Sequence, residues 1–207
     1  MKLLVTAGPT REPIDPVRYL SNRSSGKMGY AIVQAALDAG HGVALISGPV
    51  ALAPPPGAQT IPVTTAEQMY EAVHCWVAWA DVCVLCAAVA DFRPATVETE
   101  KIKKGTRDRL VLELIPTRDI LLSLRGLHGR VVGFAAETND VLAHARRKLH
   151  EKGCALVGAN DVSREGIGFE GDENAVTLLF ASGETREVPQ MSKTLLAARL
   201  IEIFGTL

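Results

Sequence analysis

Ser24-Ser25-Gly26 stands directly before a stretch whose apolar residues recur at helical spacing. The first N–H groups of a helix have no partner inside it, so such a start can hold an anion. A serine capping the helix is the plain alternative. Lys101, Lys103, Lys104, Arg107 and Arg109 fall within nine residues in which Asp108 is the one acid. On a segment outside the core that charge can close like a flap over a polyphosphate, or simply be solvated. Lys148 and Lys152, four apart, share a helical face. Their repulsion opposes the helix by roughly 0.2–0.5 kcal/mol unless an anion lies between them or Glu151 offsets it. Asn22 can brace a turn, or its amide can donate to a developing oxyanion. Each feature has a structural alternative; together they favour a site for a phosphorylated ligand.

Other chemistries lack their residues. The loop after Gly8 carries no GxGxxG fingerprint. Ser25-Gly26-Lys27-Met28 departs from a P-loop, with Ser21 in place of the first glycine and Met28 in place of the magnesium-binding hydroxyl. The five histidines are scattered, and HExxH, Cys–His metal spacing and a G-x-S-x-G elbow are all missing. A metal site built wholly from protein groups is therefore not expected. Cys83 and Cys86 have CxxC spacing inside VCVLCAAV. Residues three apart on a strand point to opposite faces, which makes them core cysteines rather than a metal or redox pair. An NAD(P)-dependent oxidoreductase is one alternative function. It commonly needs a Tyr-x-x-x-Lys pair, and Tyr19, Tyr30 and Tyr70 have no lysine four residues later. A non-catalytic nucleotide-binding protein is the other alternative, and it would leave Asn22 dispensable.

The loops that carry these residues follow short apolar runs. Leu3 to Ala7, Gly42 to Ile46, Asp81 to Val89, Val131 to Ala135 and Ala155 to Ala159 read as strands buried on both faces, with Asp81 to Val89 the most apolar and central. Helices are expected from Gly29 to Ala39, from a T-x-x-E capping box at Thr64 and Glu67 to about Ala80, and from Thr117 to Leu124. Two more are expected from Val141 to Lys152, ended by Gly153, and from Ser192 to Phe204. Ala175 to Phe180 and Thr185 to Val188 read as a late hairpin turning at Ser182-Gly183. The expected fold is α/β: a Rossmann-like three-layer αβα arrangement, mostly parallel, with that hairpin antiparallel. One domain spans 1–207, with 91–109 a flap-like excursion from the sheet. In such a sheet ligands bind at the carboxyl ends of the strands, where these loops begin.

The 207 residues carry a formal charge of −1 and are 47% hydrophobic. Such a chain buries a real core and is not disordered in the main. It has no positive balance with which to neutralise nucleic acid. Four cysteines do not make a disulfide framework. No stretch reaches the roughly 18 apolar residues of a membrane helix, and the apolar start MKLLVTAGP is cut short at Gly8-Pro9. A cytoplasmic protein without membrane or nucleic-acid partners is expected.

Four long stretches go further. VTAGPTREPIDPVRYLSNRSSGKMGYAIVQAALDAGH, CAAVADFRPATVETEKIKK, VVGFAAETND and GANDVSREGIGFEGDENAVTLL resemble, in this order, the phosphopantothenate–cysteine ligase family of coenzyme A biosynthesis, in its bacterial CTP-dependent form. The resemblance implies joining of 4′-phosphopantothenate to L-cysteine through an acyl-cytidylate. It implies Mg²⁺ carried mainly by the triphosphate of CTP, with no flavin or NAD. A homodimer is implied as well, with the late hairpin as a contributor. A flavin-dependent phosphopantothenoylcysteine decarboxylase, often fused ahead of this ligase, is the implied functional partner.

By motif, Asn22 matches the amide beside the acyl-cytidylate and Lys101 a CTP-binding lysine at the reacting phosphate. Asp91, Phe134, Lys148 and Lys152 match further CTP contacts, and the backbone of Ala87-Ala88-Val89 lies near the cytosine and acyl group. Arg118-Asp119-Ile120-Leu121 matches another nucleotide-side stretch, but it reads TRDI where the family pattern has NPDI. Helix electrostatics make Ser24, Ser25 and Gly26 the candidate site for the phosphate of phosphopantothenate, and the resemblance adds Asn22, Ala87 and Ala88 to the site of that substrate.

Overall fold

A computed structural model describes residues 1–105, 108–126, 130–137, 139–161 and 171–207. Within them a central eight-stranded sheet is built from β1 (Lys2–Ala7), β4 (Gly42–Ser47), β5 (Gln59–Pro62), β6 (Val82–Leu85), β9 (Val131–Glu137), β10 (Leu156–Asp161), β11 (Glu173–Phe180) and β12 (Thr185–Ser192). The strand order is β12-β11-β10-β9-β6-β1-β4-β5. The six strands from β10 to β5 run parallel, and β11 and β12 close the other edge antiparallel. The mostly parallel αβα fold with its late hairpin is thus present.

Alternation along the strands divides the core in two. Leu3, Val5, Val43, Leu45, Val82 and Val84 face α1 (Lys27–Asp38) and α5 (Lys193–Phe204). Leu4, Ala44, Ile46 and Cys83 face the layer of α2 (Ala66–Trp76), α3 (Ile120–Ser123) and α4 (Val141–Lys152). Cys83 therefore belongs to one core and Cys86 packs against the other. Burial pushes both thiols up to about 12, which disfavours the thiolate; Cys83 is fully buried and Cys86 partly so.

Several expected boundaries move, each for a local reason. The capping box of α2 is Thr65 with Gln68, not Thr64 with Glu67: Thr65 Oγ1 accepts the Gln68 N–H at 3.2 Å and Gln68 Oε1 accepts the Thr65 N–H at 3.2 Å. Helix α1 starts at Lys27 on a left-handed Gly26 (φ 79°), with no serine cap; Ser24 Oγ instead accepts the Gly26 N–H at 3.3 Å. The strand expected over Asp81 to Val89 stops at Leu85. Thr6 Oγ1 and Thr10 Oγ1 take the N–H groups of Ala87 and Ala90, at 3.2 and 2.9 Å, drawing the chain out of the sheet.

The edge strand β5 was not expected. Two small ribbons also stand off the sheet: β2 (Arg11–Pro13) with β3 (Tyr19–Ser21), and β7 (Phe92–Pro94) with β8 (Leu114–Pro116). The excursion after Asp91 thus begins and ends in paired strands, β7 and β8, and extends to Pro116, beyond the expected bound at Arg109. Arg107, Thr138 and residues 162–170 of the quoted stretches lie outside the described residues. Among the described residues, no helix is long and apolar enough to cross a membrane.

Candidate active site

The carboxyl ends of β1, β6, β9 and β10 open onto a cavity of about 710 Å³. Thr6, Leu85, Ala136 and Asn160 mark those strand ends on its wall. Helix α1 comes so close to β1 that a Cβ on Gly29 would stand 2.6 Å from that of Ala7, so glycine is required there. Asn22, Ser24, Gly26, the Ala87–Val89 backbone, Asp91, the Arg118–Leu121 stretch, Phe134, Lys148 and Lys152 line this cavity, whereas Ser25 and the basic residues Lys101, Lys103, Lys104 and Arg109 do not.

Asn22, next after β3, donates from Nδ2 to the carbonyls of Ala88 at 3.0 Å and Val89 at 3.2 Å. It thereby joins the first loop to the loop after β6. Its amide nitrogen is fully used in this arrangement, and donation to an oxyanion requires release of one carbonyl.

The pair on α4 has found its anion within the protein. Lys152 Nζ lies 2.6 Å from Asp119 Oδ2, and Lys148 Nζ donates to the Phe134 carbonyl at 3.0 Å. Asp119 is also the N-cap of α3, accepting the Leu122 N–H at 2.8 Å. Burial pushes the Asp119 carboxyl up, but the Lys152 hydrogen bond, the Leu122 N–H and the charges of Lys152 and Lys148 together hold it below its ordinary value. Of the two expected reliefs, an anion or Glu151, the structure supplies an anion, the Asp119 carboxylate at Lys152.

Arg118, where the stretch departs from its pattern, does line the cavity. Its guanidinium pairs with Glu67 and stacks 3.7 Å from the Tyr70 ring centroid, which fixes the α3 loop to α2. Lys101 is exposed on the segment that follows β7.

A second cationic end of the cavity was missed. Lys27 pairs with Asp172 at 2.6 Å, and Lys193, only 6% exposed, donates to the Gly171 carbonyl. The Lys27 hydrogen bond and charge, with help from Lys193, hold Asp172 below its ordinary value against slight desolvation. Burial, then the charge of Lys27, lowers Lys193, while Asp172 and Cys86 raise it. Asn174 is buried beside them, and the buried Asn160 Oδ1 has no hydrogen-bond partner among the described residues. A sequence signal existed: Lys27 and Lys193 are each the first residue of a helix, where the dipole disfavours a cation.

Among the described residues no three His, Cys, Asp or Glu side chains gather to hold a metal. Asp91 offers the cavity one exposed carboxylate. That donor set suits a magnesium ion held through one carboxylate and a ligand's phosphates.

Three comparisons bear on this arrangement. The chain is 47% identical over 209 residues to the coenzyme A biosynthesis bifunctional protein CoaBC of Vibrio vulnificus, covering 99% of this chain and 52% of that protein. The chain spans about half the length of the curated relatives it matches. The crystal structure of the C-terminal domain of a bifunctional protein CoaBC superposes with a TM-score of 0.83 at 40% identity, over 99% of this chain and 94% of that one. A Cab2 mutant in complex with phosphopantothenate-cysteine shares the fold, with a TM-score of 0.79 at 18% identity, over 99% and 86% of the two chains. The family model for the DNA/pantothenate metabolism flavoprotein C-terminal domain matches residues 1–206, and with these likenesses the chain belongs to that family.

Proposed function

We propose that this chain is a CTP-dependent ligase joining 4′-phosphopantothenate to L-cysteine. The observation that carries this is the convergence, on one cavity, of segments far apart in sequence that match the ligase pattern, with lysines at both ends. The relatives' name places them in coenzyme A biosynthesis, and the Cab2 protein of the same fold binds phosphopantothenate-cysteine.

A carboxylate is a poor electrophile. In the first step its oxygen attacks the α-phosphorus of CTP, the bond to the β-phosphate breaks, and pyrophosphate leaves. In the second the amine of cysteine attacks the acyl carbon, CMP departs, and the amine loses a proton. Lys148, Lys152 and Lys101 offset phosphate charge, Phe134, Asp91 and the Arg118–Leu121 stretch hold the nucleotide, and the Ala87-Ala88-Val89 backbone borders the reacting centre. Ser24 and Gly26, on either side of Ser25, face the phosphopantothenate with Asn22 from the cavity wall. Asn22 gives up a carbonyl to donate to the oxyanion as the amine attacks. Asp91, with the triphosphate, would hold magnesium, which would supply charge neutralisation.

The protein works in the cytoplasm beside a phosphopantothenoylcysteine decarboxylase, and as a homodimer. The late hairpin is a poor contact surface, since its outer residues Thr185, Arg186 and Glu187 are polar and exposed. Apolar side chains are exposed instead on and beside the two ribbons, which touch through β2 and β7: Tyr19, Phe92, Leu114 and Val111, the last 76% exposed. Sedimentation equilibrium checks this, with Val111→Asp expected to shift the protein toward monomer.

The deciding experiment incubates the protein with phosphopantothenate, Mg²⁺ and each of four nucleoside triphosphates, and follows pyrophosphate without cysteine. Release with CTP is expected. Release with none, or equal release without phosphopantothenate, would overturn the ligase.

A further inference from the structure

Between β2 and β3 the chain turns around Asp15, which is 3% exposed. Its Oδ1 accepts the N–H groups of Val17 and Arg18, both at 2.8 Å. That alone makes the turn. Its Oδ2 does something a turn does not need: it accepts the N–H of Ile102 at 3.1 Å, from a segment 87 residues away. The same oxygen stands 2.8 Å from Arg18 Nη2, and that guanidinium also donates to the Ile102 carbonyl. Both backbone groups of Ile102 are therefore gripped, one residue after Lys101. A little earlier, the Glu98 N–H donates to the Ile14 carbonyl at 3.0 Å, so the segment lies along the first loop rather than touching it once.

The first loop is fixed in turn at the cavity. Ser21 Oγ donates to the Thr10 carbonyl at 2.7 Å, and Asn22 holds Ala88 and Val89. Asp15 is thus the link between the loop that carries Asn22 and the segment that carries Lys101. Among the described residues, the Asp15 and Arg18 contacts to Ile102 are the side-chain hydrogen bonds that hold the exposed stretch of Lys101, Lys103 and Lys104.

We propose that Asp15, acting with Arg18, is a positioning residue that clamps Ile102 by both of its backbone groups and so keeps the Lys101 segment docked on the first loop, beside the cavity that Lys101 must reach for formation of the acyl-cytidylate. This rests on the role proposed above for Lys101. Hydrogen bonds to the carboxylate from fixed donors give the clamp direction as well as strength.

Two variants attack the clamp from opposite sides. Asp15→Asn keeps an oxygen for the turn but puts an NH₂ where Ile102 donates. Ile102→Pro removes the donor and leaves Asp15 and Arg18 intact. In both, trypsin should cut faster after Lys103 and Lys104, and in Asp15→Asn after Lys101 as well; in Ile102→Pro the bond after Lys101 precedes a proline and is not a trypsin site. Pyrophosphate release from CTP and phosphopantothenate, without cysteine, should slow on the order of ten- to a hundred-fold in kcat, with the KM for CTP little changed. Asp15→Asn combined with Lys101→Gln should be no slower than Lys101→Gln alone, because residues acting as a unit are not additive. Parent rates of cleavage and release in both variants, or losses that multiply in the double variant, would overturn the clamp. Parent-rate release in Lys101→Gln itself would instead overturn the role of Lys101, and the positioning built on it falls with that role.

Discussion

Asn22 sits where its two demands conflict. It ties two loops together through Ala88 and Val89, and the chemistry asks it to let one of them go. Asn22→Ala is therefore expected to lower ligation on the order of 10²–10³-fold while CTP binding, followed by calorimetry, stays near that of the parent. Ligation at the parent rate would remove Asn22 from the chemistry. Residue types exposed this position early: an amide in a loop of small residues before a helix is visible in SNRSSG. The lysine pair on α4 was visible too, from spacing alone. Its partner was not, because Asp119 is brought to Lys152 by the packing of α3 on α4, 33 residues apart in sequence. Nor could spacing show Lys27 and Lys193 meeting around Asp172, since β11 and α5 must both be in place first.

Helix α2 shows how a loop with chemistry is held by an element without any. Glu12, 1% exposed, lies on β2, and its Oε1 accepts the N–H of Ala66 at 2.8 Å, in the first turn of α2. The Thr65–Gln68 box satisfies other N–H groups of that turn. A carboxylate there also complements the positive helix end. Glu12→Ala leaves a buried donor unsatisfied and should cost about 1–3 kcal/mol in urea unfolding; an effect within error would mean that water replaces Glu12 at the helix start.

Elements with apolar residues at a clear period and a marked end were the ones legible beforehand, α4 with its left-handed Gly153 among them. β5 was hidden because QTIP offers little apolar pattern and pairs only along one side, with β4. The early end of β6 was hidden for another reason. Ala87 to Val89 look like strand, and only the hydroxyls of Thr6 and Thr10, from a distant loop, pull them aside.

Across the whole molecule, three carboxylates share a direction. Asp15 and Asp119 are pushed up by burial, but more strongly held down: Asp15 by the N–H groups of Val17, Ile102 and Arg18 and by the Arg18 charge, Asp119 chiefly by Lys152. Asp172 is held down first by its bond to Lys27. A depressed native value means that the unfolded chain binds protons more readily. The stability these groups contribute is complete above the ordinary carboxylate value of 3.8 and is lost as pH falls through the lower native values. Urea midpoints should therefore stay level from neutrality to about pH 5 and drop below pH 4. Replacing Asp15 with Asn should flatten that drop; an unchanged slope would mean that Asp15 is not part of it.

The cavity wall begins at Thr6 and ends at Lys193, so nearly the full length of the polypeptide is needed to complete it. No fragment can own the binding site, and occupancy must report on the integrity of everything at once. A nucleotide at a hundred times its dissociation constant should delay melting of the entire domain by about 2.7 kcal/mol worth of stability, in one cooperative step. A calorimetric trace in which CTP shifts only part of the transition would mean that some of the chain melts independently of the pocket.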